Sequence, residues 1–140
     1  MHLRPCALSG SAVYFDMQGV IETQTFLKNA ADAGMAEQER LAIVNSIALD
    51  PRQGDLMTGT GGVRKVRFAG RGKGKSGGFR VVTYFAAADI PVLLLAVIDK
   101  GERTNLSKAE RNVLKKELQG FADDYRASVR QRVAERKGRT

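Results

Sequence analysis

At 140 residues, 43% of them hydrophobic, the chain is long enough for one ordinary core and too short for two, and its formal net charge of +8 points to a polyanionic partner, nucleic acid first. One cysteine, Cys6, excludes an internal disulfide, one histidine, His2, leaves too few ligands for a zinc site, and no apolar run reaches the roughly 18 residues of a membrane span. These features predict a soluble cytoplasmic protein without metal or other cofactor, whose acid–base chemistry must draw on Lys, Arg, Tyr, Asp or Glu.

Residues 1–16 lack any periodicity and predict a disordered extension ahead of the domain proper, 17–125, with 126–140 as a basic helix end or tail. Val20 to Glu22 reads as a short strand. Thr23 or Thr25 can cap a helix whose inner face is Phe26, Leu27, Ala30 and Ala31, and Gly34 ends it. A second helix is expected from Ala36 to Leu49, with Leu41, Val44, Ile47 and Ala48 inward, stopped by Asp50 and Pro51. Residues 51–62 hold four glycines and read as a loop. Val63 to Phe68 alternates, which puts Lys65 and Arg67 on one face, away from the core, and Val66 and Phe68 on the other. Phe79 to Phe85 alternates again, with Arg80, Val82 and Tyr84 sharing a face. Val92 to Ile98, seven apolar residues in a row, predicts a strand covered on both faces at the sheet's centre. Ser107 and Glu110 have capping-box spacing, and Leu114, Leu118, Phe121 and Tyr125 trace an apolar stripe along one last helix. The expected class is α+β: two N-terminal helices on a three- to four-stranded, mainly antiparallel sheet, with a C-terminal helix.

Residues 61–80, GGVRKVRFAGRGKGKSGGFR, hold seven basic residues, seven glycines and no acid. Within them AGRGKGKS satisfies a relaxed phosphate-loop pattern. That loop requires a strand before it and a helix after it, because the phosphates rest on the helix N-terminus. Here Gly77, Gly78 and an alternating, strand-like segment follow, and Ala69 stands where the strict pattern has glycine, so nucleotide binding ranks third among the readings.

If the register aligns, Lys65 and Arg67 approach Arg80 across a hairpin. Like charges placed opposite one another cost a sheet a few tenths to about 1 kcal/mol per pair, so the fold does not gather them for its own stability. A phosphate would relieve them. Such cations around a scissile phosphodiester can hold the chain and stabilise transition-state charge, and a crowded lysine can accept the 2′-hydroxyl proton. Phosphate binding without chemistry is the plainer alternative, and composition favours it. Tyr84 can stack on a base or bond a phosphate, or simply close the rim of the sheet. Lys100 and Arg103 follow the long apolar strand, where a sheet-built site would receive more charge, or they form a solvated turn.

The segments Asn45 to Asp55 (NSIALDPRQGD), GTGG at 59–62, VRKVR at 63–67, GKGKSGG at 72–78, RVVTY at 80–84 and Asp99 to Glu110 together resemble the HigB-like branch of the RelE/HigB superfamily of type II toxin–antitoxin toxins. The resemblance runs from about Met17 to Leu118. It implies a small RelE-like fold, metal-independent and ribosome-dependent mRNA cleavage, and a cognate antitoxin, a small helix-turn-helix protein through which alone operator DNA would be bound. Carried onto this sequence, the catalytic positions are Lys65, Arg67 and Arg80, with Tyr84 and Lys100 as further candidates. Arg64, Arg71, Lys73, Lys75 and Arg103 become RNA-binding residues. The best-known members have an arginine and a late tyrosine after the last strand, where this chain has Gly101 and Ser107. Related folds poison DNA gyrase instead, so a gyrase poison or a non-catalytic nucleic-acid-binding module is the second reading.

Overall fold

The computed structural model describes residues 17–70, 74–99 and 106–138, with residues 74–77 and 99 described by their backbone alone. The expected extension at 1–16 lies outside the described residues. In chain order the elements are β1 (Val20–Glu22), α1 (Gln24–Asp32), α2 (Glu37–Leu49), β2 (Asp55–Leu56), β3 (Val63–Gly70), β4 (Gly74–Tyr84), β5 (Val92–Asp99), α3 (Lys108–Leu118) and α4 (Phe121–Gly138). The class is α+β, as expected.

The sheet has five strands in the order β1-β5-β4-β3-β2, with β1 parallel to β5 and every other pair antiparallel. This exceeds the expected three or four strands because β2, two residues within the segment read as loop, pairs Asp55 with Lys65 and Leu56 with Arg64. Two residues are too few for alternation to register. The central position also belongs to β4 and not to β5, which is nonetheless interior, flanked by β1 and β4.

Thr23 is the cap of α1: its hydroxyl accepts from Phe26 N at 3.2 Å and donates to Leu94 O at 2.7 Å. Because β1 covers only Val92 to Leu94, the edge of β5 beyond it needs another partner, and Asn29 Oδ1 accepts from Val97 N at 3.2 Å. Phe26 and Ala30 are buried, whereas Leu27 and Ala31 turn outward. In α2, Ile47 and Ala48 are buried and Val44 packs partly buried on the same core, as expected, but Leu41 is 47% exposed and Ile43 takes the inward place read for it. Arg40 ties α2 to β1 through an ion pair with Glu22.

Both faces of the sheet carry a core. On one, α1 and α2 pack Phe26, Ala30, Ile43 and Ile47 against Val66, Phe79, Val81, Val92, Leu94 and Val97. On the other, Leu106, Leu114, Leu118 and Phe121 cover Val63, Val82, Leu93 and Ile98. The face of Lys65 and Arg67 is therefore not turned wholly away from the core, as its alternation suggested, but borders a second, smaller one.

The expected single last helix is two. Ser107 Oγ accepts from Glu110 N at 3.1 Å while Glu110 Oε1 accepts from Ser107 N at 2.8 Å, which starts α3 as the spacing indicated. The chain then breaks at Gly120, whose φ of 81° lies in the left-handed region that glycine adopts without strain. No residue of α4 is buried. Its anchors are the Phe121 ring against Tyr84, with Tyr125 packed on Phe121 within the helix, and a two-pronged ion pair from Arg126 to Asp89, at 2.7 and 2.9 Å. Among the described residues no helix is long and apolar enough to cross a membrane.

Candidate nucleic-acid interface

The β3–β4 ladder fixes the site. Its register sets Val63 opposite Tyr84, Lys65 opposite Val82 and Arg67 opposite Arg80 on one face, and Arg64 opposite Thr83, Val66 opposite Val81 and Phe68 opposite Phe79 on the other. Arg67 and Arg80 are thus direct cross-strand neighbours, whose Cβ atoms such pairing holds about 5 Å apart, and Lys65 is a diagonal neighbour of Arg80 at roughly 7–8 Å. The sequence-derived trio comes together on one surface.

The hairpin holds this register through a close backbone approach. A bulge interrupts β3 between Phe68 and Gly70, and a Cβ on the opposing Gly78 would lie 2.4 Å from Phe68 O. Only glycine fits there. The next residues toward the sheet centre, Phe79 and Val81, are buried, which pins the other face of β4 and leaves Arg80 no freedom to turn over.

Arg80 sits between Arg67 on β3 and Ile98 on β5. Its Nη1 is buried and has no hydrogen-bond partner. A guanidinium nitrogen withdrawn from water without an acceptor is costly, and the acceptor best matched to its planar fork is a phosphate or carboxylate. Arg67, by contrast, is exposed. The pair therefore presents one cation recessed in the sheet and one at its surface.

The remaining predicted residues divide. Arg64 is on the opposite face, its Nη1 3.4 Å from Gly54 O, and does not join the trio. Tyr84 shares the trio's face and is diagonal to Lys65, but four residues of strand, about 13 Å, separate it from Arg80. Its ring stands edge-on to Phe121, with centroids 6.4 Å apart, and belongs to the second core. Arg71, Lys73, Lys100 and Arg103 lie outside the described residues, and Lys75 is described only as a backbone position of β4.

The strand β4 begins at Gly74 and continues through Ser76 to Tyr84, so no helix N-terminus follows AGRGKGKS. The phosphate loop lacks the element that would bind phosphate in a nucleotide site. One residue absent from the sequence reading also stands out: Arg111 of α3, whose Nε is buried without a hydrogen-bond partner. A signal for it existed, since Arg111 precedes Leu114 and Leu118 at helical spacing and so occupies the inward stripe.

Compared with known protein families, residues 18–138 match the family described as the RelE toxin of the RelE / RelB toxin-antitoxin system.

Proposed function

From the premise that this chain belongs to the RelE toxin family, we propose that it inhibits translation by cleaving mRNA on the ribosome, with the Lys65, Arg67 and Arg80 face as its cleavage site. The observation that carries this reading is the direct pairing of Arg67 with Arg80, whose buried Nη1 has no partner in the protein. A sheet gains nothing from that pairing, whereas a phosphodiester gives the buried Arg80 Nη1 an acceptor and the two cations a shared counter-charge.

In the proposed reaction the 2′-hydroxyl oxygen attacks the adjacent phosphorus, the bond to the 5′-oxygen breaks, and charge accumulates on the non-bridging oxygens. Arg80, recessed and held by its neighbours, stabilises that charge; Arg67 and Lys65 hold the scissile phosphate and its flanking chain. The 2′-hydroxyl loses a proton as the bond forms and the leaving 5′-oxygen gains one. Lys65 is the member of the trio suited to proton exchange, because an arginine stays protonated throughout the working range. Arg71, Lys73, Lys75 and Arg103 are assigned to the backbone of message or ribosomal RNA, as is Arg64 from the other side of the sheet, and Lys100 stays a further candidate for the chemistry. The packing of Tyr84 on Phe121 favours a structural over a catalytic role for its ring.

Toxins of this family pair with antitoxins, which supports a cognate antitoxin here. We assign that partner to a small helix-turn-helix protein, with operator DNA reached only through the complex, and the whole to the cytoplasm.

The test is induced expression with primer-extension mapping of mRNA ends. Growth arrest with new ends inside translated codons, lost in a well-expressed Arg80→Ala variant, is the expected result. Arrest without new ends would move the assignment to a gyrase poison or binding module, and full toxicity of Arg80→Ala would remove Arg80 from the chemistry.

A further inference from the structure

We infer that Arg111 is a further cation of this site, a positioning residue by which α3 closes on an RNA phosphate opposite Arg80. The inference rests on the cleavage-site reading and extends it to a helix outside the basic hairpin.

Placement comes first. The C-terminal half of α3 lies by the start of β3: a Cβ on Gly61 would meet Lys115 Cγ at 3.9 Å, and Phe121, just beyond the helix, stands against Tyr84. Leu106, just before the helix, belongs to the same core cluster as Ile98, and Ile98 is the β5 neighbour of Arg80. The helix thus covers the face that carries the trio, with its C-terminal end by Val63 and Tyr84, and the chain that leads into it leaves β5 at Asp99, the strand's end beside Phe79 and Arg80. Arg111, one turn before Lys115 and on the Leu114–Leu118 stripe, lies on the inward side of its N-terminal half.

Chemistry comes second. The arginines that hold this fold together are paired: Arg40 with Glu22, Arg126 with Asp89, and Arg52 over the Phe85 ring at 5.2 Å. Arg80 Nη1 and Arg111 Nε differ, since both are buried and neither has a hydrogen-bond partner. Two such nitrogens on the same side of the sheet, one from a strand and one from the helix that covers that side, fit a ligand with several acceptor oxygens and a negative charge. A phosphodiester is that ligand, and the planar guanidinium is the side chain suited to it.

The experiment measures binding of a short single-stranded RNA, protected from cleavage by 2′-deoxy substitution, to the full-length protein and to Arg111→Met, Arg111→Lys and Arg80→Met over a range of salt concentrations, alongside thermal unfolding of each. Arg111→Met is expected to unfold no earlier than the parent, because it removes a buried nitrogen without an acceptor. It should bind RNA roughly tenfold more weakly, with a log–log salt slope shallower by about 1. Arg111→Lys should keep the slope and lose affinity, since the charge remains and the fork is gone. Unchanged affinity and slope in Arg111→Met overturn the inference alone if Arg80→Met is weakened. If Arg80→Met is also unchanged, the cleavage-site reading falls with it. Should Arg111→Met fail to fold while Arg111→Lys folds and binds RNA like the parent, Arg111 is a structural residue and the inference is overturned.

Discussion

Thr83 and Arg80 both bury a polar atom without a partner on β4, yet their positions give the two atoms opposite meanings. The Thr83 side chain is fully buried, and by strand alternation it faces the α1–α2 side of the sheet with Val81. A hydroxyl there loses water and gains nothing in return. Thr83→Val should therefore stabilise the protein by about 1 kcal/mol, read as a higher urea midpoint with an unchanged slope. A lower midpoint would mean that the hydroxyl has an acceptor in solution. Arg80 Nη1 is recessed on the other face among cations, where removing the charge relieves repulsion from Arg67, worth at most about 1 kcal/mol. Arg80→Ala should fold normally and lose toxicity, a separation of stability from activity that a core residue could not give.

At the scale of elements, α4 is held differently from the rest. Its anchors are the Phe121 ring, packed on Tyr84, and the Arg126 to Asp89 ion pair, and its side chains are exposed or half-exposed. The hydrogen bond from Arg126 holds the Asp89 carboxyl below its ordinary value. A lowered carboxylate pKa stabilises the docked state above the unfolded value, near pH 4, and that contribution disappears as pH falls through the lowered value. Hydrogen exchange in α4 should thus accelerate in acid before exchange in β4 does, and Asp89→Asn should produce the fast exchange already at neutral pH. Equal protection of α4 in parent and variant would show that the rings alone suffice. The same helix shows where sequence reading stops. Capping at Thr23 and Ser107 was legible because it is local, and so was the alternation of β3 and β4, from which the Arg67–Arg80 pairing followed once the register was known. The break at Gly120 was hidden because Leu114, Leu118 and Phe121 stay on one core across it and Tyr125 packs on Phe121, preserving helical spacing through an interrupted helix. Cover on both faces was legible in the unbroken apolar run of β5, but its reach to β3 was hidden because Lys65 and Arg67 read as solvent-facing until α3 is laid over their face. The inward position of Arg111 could be read from its spacing to Leu114 and Leu118, yet nothing along the chain relates it to residues 65–80.

Across the whole molecule, the net charge of +8 acts on association and leaves the fold to the two cores. Under the proposed function, binding to the ribosome should weaken steeply between low and physiological salt, as cosedimentation at the two conditions would record. Binding indifferent to salt would count against phosphate contacts as the basis of recognition. The topology has a consequence of another kind. The strand at the start of the domain, β1, pairs only with β5, joining Val20 to Val92, and Asn29 of α1 meets Val97. During synthesis α1 and α2 emerge with no sheet to bury them, and β3 and β4 can zip into a hairpin that still lacks its central neighbour. The larger core cannot close until the 92–99 segment has left the ribosome, and α3 follows later still to cover the second face. Order of translation thus delays assembly of the basic face until nearly the entire chain exists, an interval in which an antitoxin already present in the cell can be waiting.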